Sequence, residues 1–218
     1  MVRTYITSET KPHQLAIDDV AEVLRAGGMA LVPTETVYGL SVAVRAQNGY
    51  PGDYGRIFDL KRRDRSQTVP WLVGDAHALD VYGVDVASEA RVLAEKFWPG
   101  ALTIVVRASS AVPTCLAAAD GTIALRVPRS PVIAALVQAC KSPLATTSAN
   151  THGSPAPVSF DQVERRILEG VDVAINCGAT MCAEPSTIVS CVDGTLEVLR
   201  EGALPVEQIE RALKDASR

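Results

Sequence analysis

Short apolar runs of strand length recur along this chain, and their spacing limits how they can be joined. They fall at 29–33, 40–44, 69–73, 101–107, 122–127, 144–147, 171–175, 187–192 and 195–200. Helical patterns separate some of them. Leu15, Ile17, Val20, Ala21 and Leu24 suit a first helix that Gly27-Gly28 stops. Further helices are expected near 54–62, with Asp53 as N-cap, and near 86–97, 130–140, 159–169 and 205–215. Ser130-Pro131 and Leu204-Pro205 read as helix starts. Other runs are too close for a helical crossover: only Asp193-Gly194, a hairpin signal, divides 187–192 from 195–200. A sheet with a helix after every strand is thereby excluded. The pattern predicts an α/β fold, a twisted mixed sheet with surrounding helices, and residues 1–218 fit one domain.

Charge and targeting signals narrow the function. Lys and Arg number 21 against 25 Asp and Glu, a formal net charge of -4. A broad nucleic-acid-binding face is usually basic, so any RNA contact here rests on a local patch or a partner. The N-terminal MVRTYITSETKPHQ lacks the apolar core of a signal peptide, and no apolar run approaches the roughly 20 residues of a membrane span. A cytoplasmic protein is expected. The five cysteines are an odd count without CxxC pairs, which predicts free thiols. Cys177, Cys182 and Cys191 lack a fourth ligand at useful spacing for zinc.

Polar residues gather where strands end. In LVPTETVYGL, residues 31–40, an apolar run gives way to Thr34, Glu35 and Thr36 before Tyr38-Gly39. Lys61, Arg62, Arg63 and Arg65 crowd the end of a short helix, either as a solvated basic end or as an anion site. Arg126 interrupts the strand TIALRV, where a charge needs an ion-pair partner or a pocket. Ser148 and Asn150 in LATTSAN, and Ser186-Thr187 before IVSCV, are turn and capping residues or ligand contacts. Arg200 ends the strand LEVLR. If these boundaries converge on one concave side of the sheet, they form a groove for a nucleotide triphosphate and a small carboxylate. The chain has no GxxxxGK[ST] loop, and His13, His77 and His152 lie in no Ser or Cys triad pattern. That leaves an enzyme that works by positioning ligands and stabilising phosphate charge, without a protein nucleophile.

An ordered set of motifs then resembles the YrdC family of threonylcarbamoyl-AMP synthases. It comprises PTETVYGL at 33–40, KRR at 61–63, FWPGALTIVV at 97–106, IALRVP at 123–128, TTSAN at 146–150, STIV at 186–189 and VLREG at 198–202. The resemblance implies a central concave groove and the reaction of L-threonine, bicarbonate and ATP to threonylcarbamoyl-AMP and pyrophosphate, normally with Mg2+. It implies threonine contacts at Thr36, Arg126, Thr146 and Ser186, with Arg126 forking the carboxylate. ATP contacts are implied at Lys61, Arg63, Gln67, Thr122, Ser148, Asn150 and Arg200. The product would pass to a tRNA threonylcarbamoyl transferase complex. Departures from the family pattern are Ser41, Asp64, Gln67-Thr68, Leu72, Ala156 and Glu201. Two other readings stay open: a carbamoyl-adenylate-forming module with another acceptor, and a double-stranded RNA-binding module using the 61–65 cations.

Overall fold

The computed structural model describes residues 2–45, 54–64, 67–192 and 194–217. The expected N-cap Asp53, the turn residue Asp193 and the cation Arg65 lie outside them. The chain order is β1 (Arg3–Ile6), α1 (Gln14–Arg25), β2 (Met29–Val32), β3 (Gly39–Ala43), α2 (Tyr54–Lys61), β4 (Trp71–Leu72), α3 (Ala78–Tyr82) and α4 (Ser88–Phe97). Then come β5 (Leu102–Arg107), β6 (Thr122–Arg126), α5 (Pro131–Cys140), β7 (Leu144–Ser148), a 3-10 turn (Phe160–Gln162) and α6 (Arg165–Glu169). The last elements are β8 (Val173–Asn176), β9 (Thr187–Val192), β10 (Thr195–Arg200) and α7 (Val206–Ala216).

One ten-stranded sheet runs β1-β8-β2-β3-β7-β4-β6-β5-β9-β10. It is mixed, as the spacing predicts: β5 lies parallel to β9 but antiparallel to β6, and β9-β10 is an antiparallel pair. Ser130 caps α5 by accepting from the Ile133 N–H at 3.2 Å, with Pro131 in the first turn.

Several expectations change. The 69–73 strand shrinks to Trp71–Leu72, and the helix over 159–169 breaks into a 3-10 turn and a short α-helix. Leu15 faces solvent at 69% exposure, whereas Ile17, Val20, Ala21 and Leu24 are buried. β1 and α3 carry too little apolar pattern to be read from sequence; β1 is an edge strand whose side chains are mostly exposed.

The two sheet faces have different fates. On one, α2, α3, α4, α6 and α7 bury a large core that includes Leu31, Leu40, Trp71, Ile104, Leu125 and Val189. On the other, α1 and α5 cover the β8-β2-β3-β7-β4 part, through Ala30, Ala43, Leu72, Leu144 and Val173. Because side chains alternate along a strand, the neighbours of Ile104, Leu125 and Val189 point to this second face. Beyond Leu72 no helix among the described residues covers them. That uncovered half is the groove.

Candidate functional site

The groove follows the pleat. A cavity of about 440 Å³ is lined by Thr36, Gly39, Leu72, Thr103, Ala124, Arg126 and Ser186 among others, and by Arg63 and Arg200 at its sides. A second hollow of about 430 Å³ shares Thr68, Val105, Ala124 and Leu199 with the first, and continues along the same strand face to Arg107, Thr122, Ser190 and Glu197. The two are one trough, floored by alternate residues of β5, β6 and β9. No Asp or Glu lines the larger section among the described residues, whereas three arginines do.

Arg200 reaches that wall through a β-bulge. The β9-β10 register shifts between Val198 and Arg200, which places Arg200 opposite Ile188 and leaves Leu199 as the inserted residue. Glu197 faces the trough, so strict alternation would turn Arg200 to the other face. The bulge lets Leu199 and Arg200 both line it.

Arg126 is held from three sides. Its Nε donates to Gly100 O at 2.9 Å and its Nη1 to Thr36 Oγ1 at 3.1 Å. Its Nη2 lies 2.7 Å from Glu35 Oε1, a buried ion pair with side chains 6% and 3% exposed. Close as it is, that contact lacks hydrogen-bond alignment: Arg126 Nη2 and Glu35 Oε2 both remain without a hydrogen-bond partner. Both readings of Arg126 therefore hold, since it is ion-paired and also lines the pocket. Glu35 Oε1 also accepts from the Arg129 N–H at 2.8 Å.

The polar run at 34–36 has its explanation here. Thr34 Oγ1 donates to Val37 O at 2.7 Å and accepts from the Thr36 and Val37 N–H groups at 3.1 Å. Thr34 Oγ1 also lies 2.7 Å from Thr36 Oγ1, and either hydroxyl can donate in that contact. Thr36 Oγ1, which accepts from Arg126 Nη1, belongs to a residue of the trough wall.

The other expected residues fall into two groups. Gln67, Thr146, Ser148 and Ser186 line the larger section with Arg63 and Arg200. Arg63 donates to Gln67 Oε1 at 2.6 Å and to Thr68 O at 2.7 Å, and burial lowers its pKa. Ser186 Oγ lies 2.9 Å from Thr103 Oγ1, and Arg200 Nη2 donates to Ser186 O at 2.7 Å. Burial first, then the charge of Arg126, lowers the pKa of Arg200; an anion between the two would relieve that repulsion. Thr122 lines the second section, its hydroxyl donating to Asp120 Oδ1 at 2.7 Å.

Lys61 and Asn150 do not line the trough. Lys61 is 3% exposed and donates to Ser148 O, to Asn150 O at 2.8 Å and to Asn150 Oδ1 at 3.1 Å. Burial, with Arg63 adding to it, pulls its pKa down to about 8. Asn150 Nδ2 donates to Thr151 O at 3.0 Å and Ser154 O at 2.6 Å. Together they brace the loop after β7. Thr103 and Leu199 were not expected at the site, and Glu35 was expected there with the polar strand end but not as the partner of Arg126. The only signal for Thr103 and Leu199 was strand alternation, and Glu35 showed only as a carboxylate at a strand end.

With this geometry in hand, the Sua5/YciO/YrdC family model, described as "Telomere recombination", matches residues 22–202. The chain belongs to this family. It is 32% identical over 193 residues to the threonylcarbamoyl-AMP synthase of Pyrococcus abyssi, covering 88% of this chain and 56% of that protein. Against the threonylcarbamoyl-AMP synthase of Xanthomonas oryzae pv. oryzae it is 30% identical, covering 87% of this chain and 99% of the relative. The structure of P. abyssi Sua5 complexed with L-threonine superposes with a TM-score of 0.87 at 29% identity, over 98% of this chain and 61% of Sua5. E. coli YciO gives 0.83 at 26% identity, over 96% and 100%. The chain thus spans somewhat over half the length of the P. abyssi relative.

Proposed function

We infer that this Sua5/YciO/YrdC chain, acting as one domain, makes threonylcarbamoyl-AMP from L-threonine, bicarbonate and ATP. Its product would serve tRNA threonylcarbamoyl transfer by a cytoplasmic partner complex. The observation that carries this reading is the single trough whose larger section presents Arg63, Arg126 and Arg200 and no lining carboxylate among the described residues. ATP, bicarbonate and the carboxylate of threonine each carry negative charge, and charge-assisted bonds from arginine suit planar carboxylates and phosphates. The synthase names of relatives at 30–32% identity favour threonine as the acceptor over another one.

Arg126, Thr36 and Ser186 form the amino-acid end. Arg126, which lines the trough, supplies the positive charge for the carboxylate, and Thr36 accepts from the amine. Arg63 and Arg200 face the phosphates, and Thr122 and Ser148 flank the nucleotide. Lys61 acts one step back, by fixing the Ser148–Asn150 loop. The free amine of threonine combines with bicarbonate to give the carbamate and water. A carbamate oxygen then attacks the α-phosphorus of ATP as the bond to the leaving pyrophosphate breaks. No protein nucleophile is required; the arginines neutralise charge that would otherwise keep two anions apart.

Among the described residues no three His, Cys, Asp or Glu side chains gather as a metal site, so the donor set does not fit a protein-held Mg2+. An Mg2+ bound to the triphosphate, keeping its own waters, needs no such set.

The test is pyrophosphate release from ATP with each substrate omitted in turn. Release should require both threonine and bicarbonate. Release indifferent to threonine would remove the assignment.

A further inference from the structure

Ser41 and Thr146 are register partners across the β3-β7 ladder. Ser41 is completely buried and forms no part of the trough wall, whereas Thr146 does. Their hydroxyl oxygens lie 2.7 Å apart, and Thr146 Oγ1 also reaches Leu144 O at 3.2 Å. A hydroxyl has one proton, and both of these contacts lie on the side of the covered core, which contains Ala43 and Leu144. The Thr146 methyl points the other way: a Cβ placed on Gly39, a wall residue, would sit 2.6 Å from Thr146 Cγ2. The absent side chain at 39 is what leaves room for that methyl.

We propose that Ser41 is a positioning residue that turns the Thr146 hydroxyl out of the trough and its methyl in. At this point the wall meets the bound amino acid as an apolar surface continuous with Leu72, and not as a hydrogen-bonding group. The proposal rests on the threonine-binding reading above, and it gives the contact expected at 146 its chemistry. Ser41 acts only through Thr146, fixing a rotamer that a lone threonine could leave by rotating about one bond.

Reciprocal substitutions separate a methyl contact from a hydroxyl contact. Thr146→Ser keeps the hydroxyl and loses the methyl; Thr146→Val does the reverse. Steady-state kinetics with L-threonine should give a threonine KM about fourfold higher for Thr146→Ser than for Thr146→Val, the effect of one buried carbon, with kcat the same in the two. Ser41→Ala alone should raise the threonine KM, and adding Thr146→Val should bring it back down, because valine needs no partner to hold its rotamer. The double variant removes both buried hydroxyls together, so it leaves no orphaned polar atom to unfold the protein. A higher KM for Thr146→Val than for Thr146→Ser, equal values for the two, or no rescue in the double variant each overturns the proposal. Wild-type protein without threonine-dependent turnover would instead sink the functional reading itself, and the proposal with it.

Discussion

Replacing Lys61 by methionine probes the unusual setting of that cation. In the folded chain burial pulls its pKa from 10.5 to about 8. Below pH 8 the lysine is charged in both folded and unfolded chains, and folding carries the whole desolvation cost. Between about 8 and 10.5 the unfolded chain binds more protons than the folded one, so stability rises with pH. A fall from 10.5 to about 8 corresponds to ~3 kcal/mol, of which about 2 kcal/mol is regained between pH 7 and 9.5. Methionine has no such dependence. It has a cost of its own: the oxygens of Ser148 and Asn150 lose their shared donor, at about 1–3 kcal/mol for each that stays buried and unpaired. Urea unfolding of both proteins at pH 7 and 9.5 separates the two effects, since every other titrating group is common to them. The wild-type protein should gain about 2 kcal/mol on the variant over that interval. A gap that stays constant with pH would refute the picture of Lys61 as a desolvated cation bracing the β7 loop.

Two further substitutions address the walls of the trough. Glu35→Gln leaves the Arg126 charge buried without its counter-charge and should destabilise the fold by about 3–5 kcal/mol in urea unfolding. Combining it with Arg126→Met should recover most of that loss; no recovery would mean that the pair is not coupled. Arg200→Ala removes the guanidinium that the bulge brings to the trough wall. The KM for ATP should then rise about tenfold or more, the worth of a charge-assisted hydrogen bond, and an unchanged value would show that Arg200 does not hold the nucleotide.

Most of the site was legible because charged or hydroxylic residues broke into apolar runs. Arg126 in TIALRV and Ser186 before IVSCV both line the larger section. What the chain spelled poorly was long-range pairing. Nothing local says that Glu35 will meet Arg126, 91 positions on, or that a slipped register will turn Arg200 inward. The setting of Lys61 was hidden for a physical reason: a basic residue at a helix end reads as a solvated or phosphate-facing charge, yet its buried amine bonds oxygens of Ser148 and Asn150. The helix expected over 159–169 failed at Val163 and Glu164, whose extended backbone separates the 3-10 turn from α6. The mixed sheet followed directly from spacing, since 187–192 and 195–200 leave no room for a crossover.

The trough is held to seat an amino acid against Arg126 and a nucleotide against Arg200, and a paired kinetic comparison tests this most directly. Arg126→Lys and Arg200→Lys each keep the charge but lose the planar fork, and the lysine at 126 still faces Glu35. The first should raise the KM for threonine about tenfold with little change for ATP, and the second should do the converse. If both variants shift both constants equally, or shift neither, the two ends do not hold separate substrates.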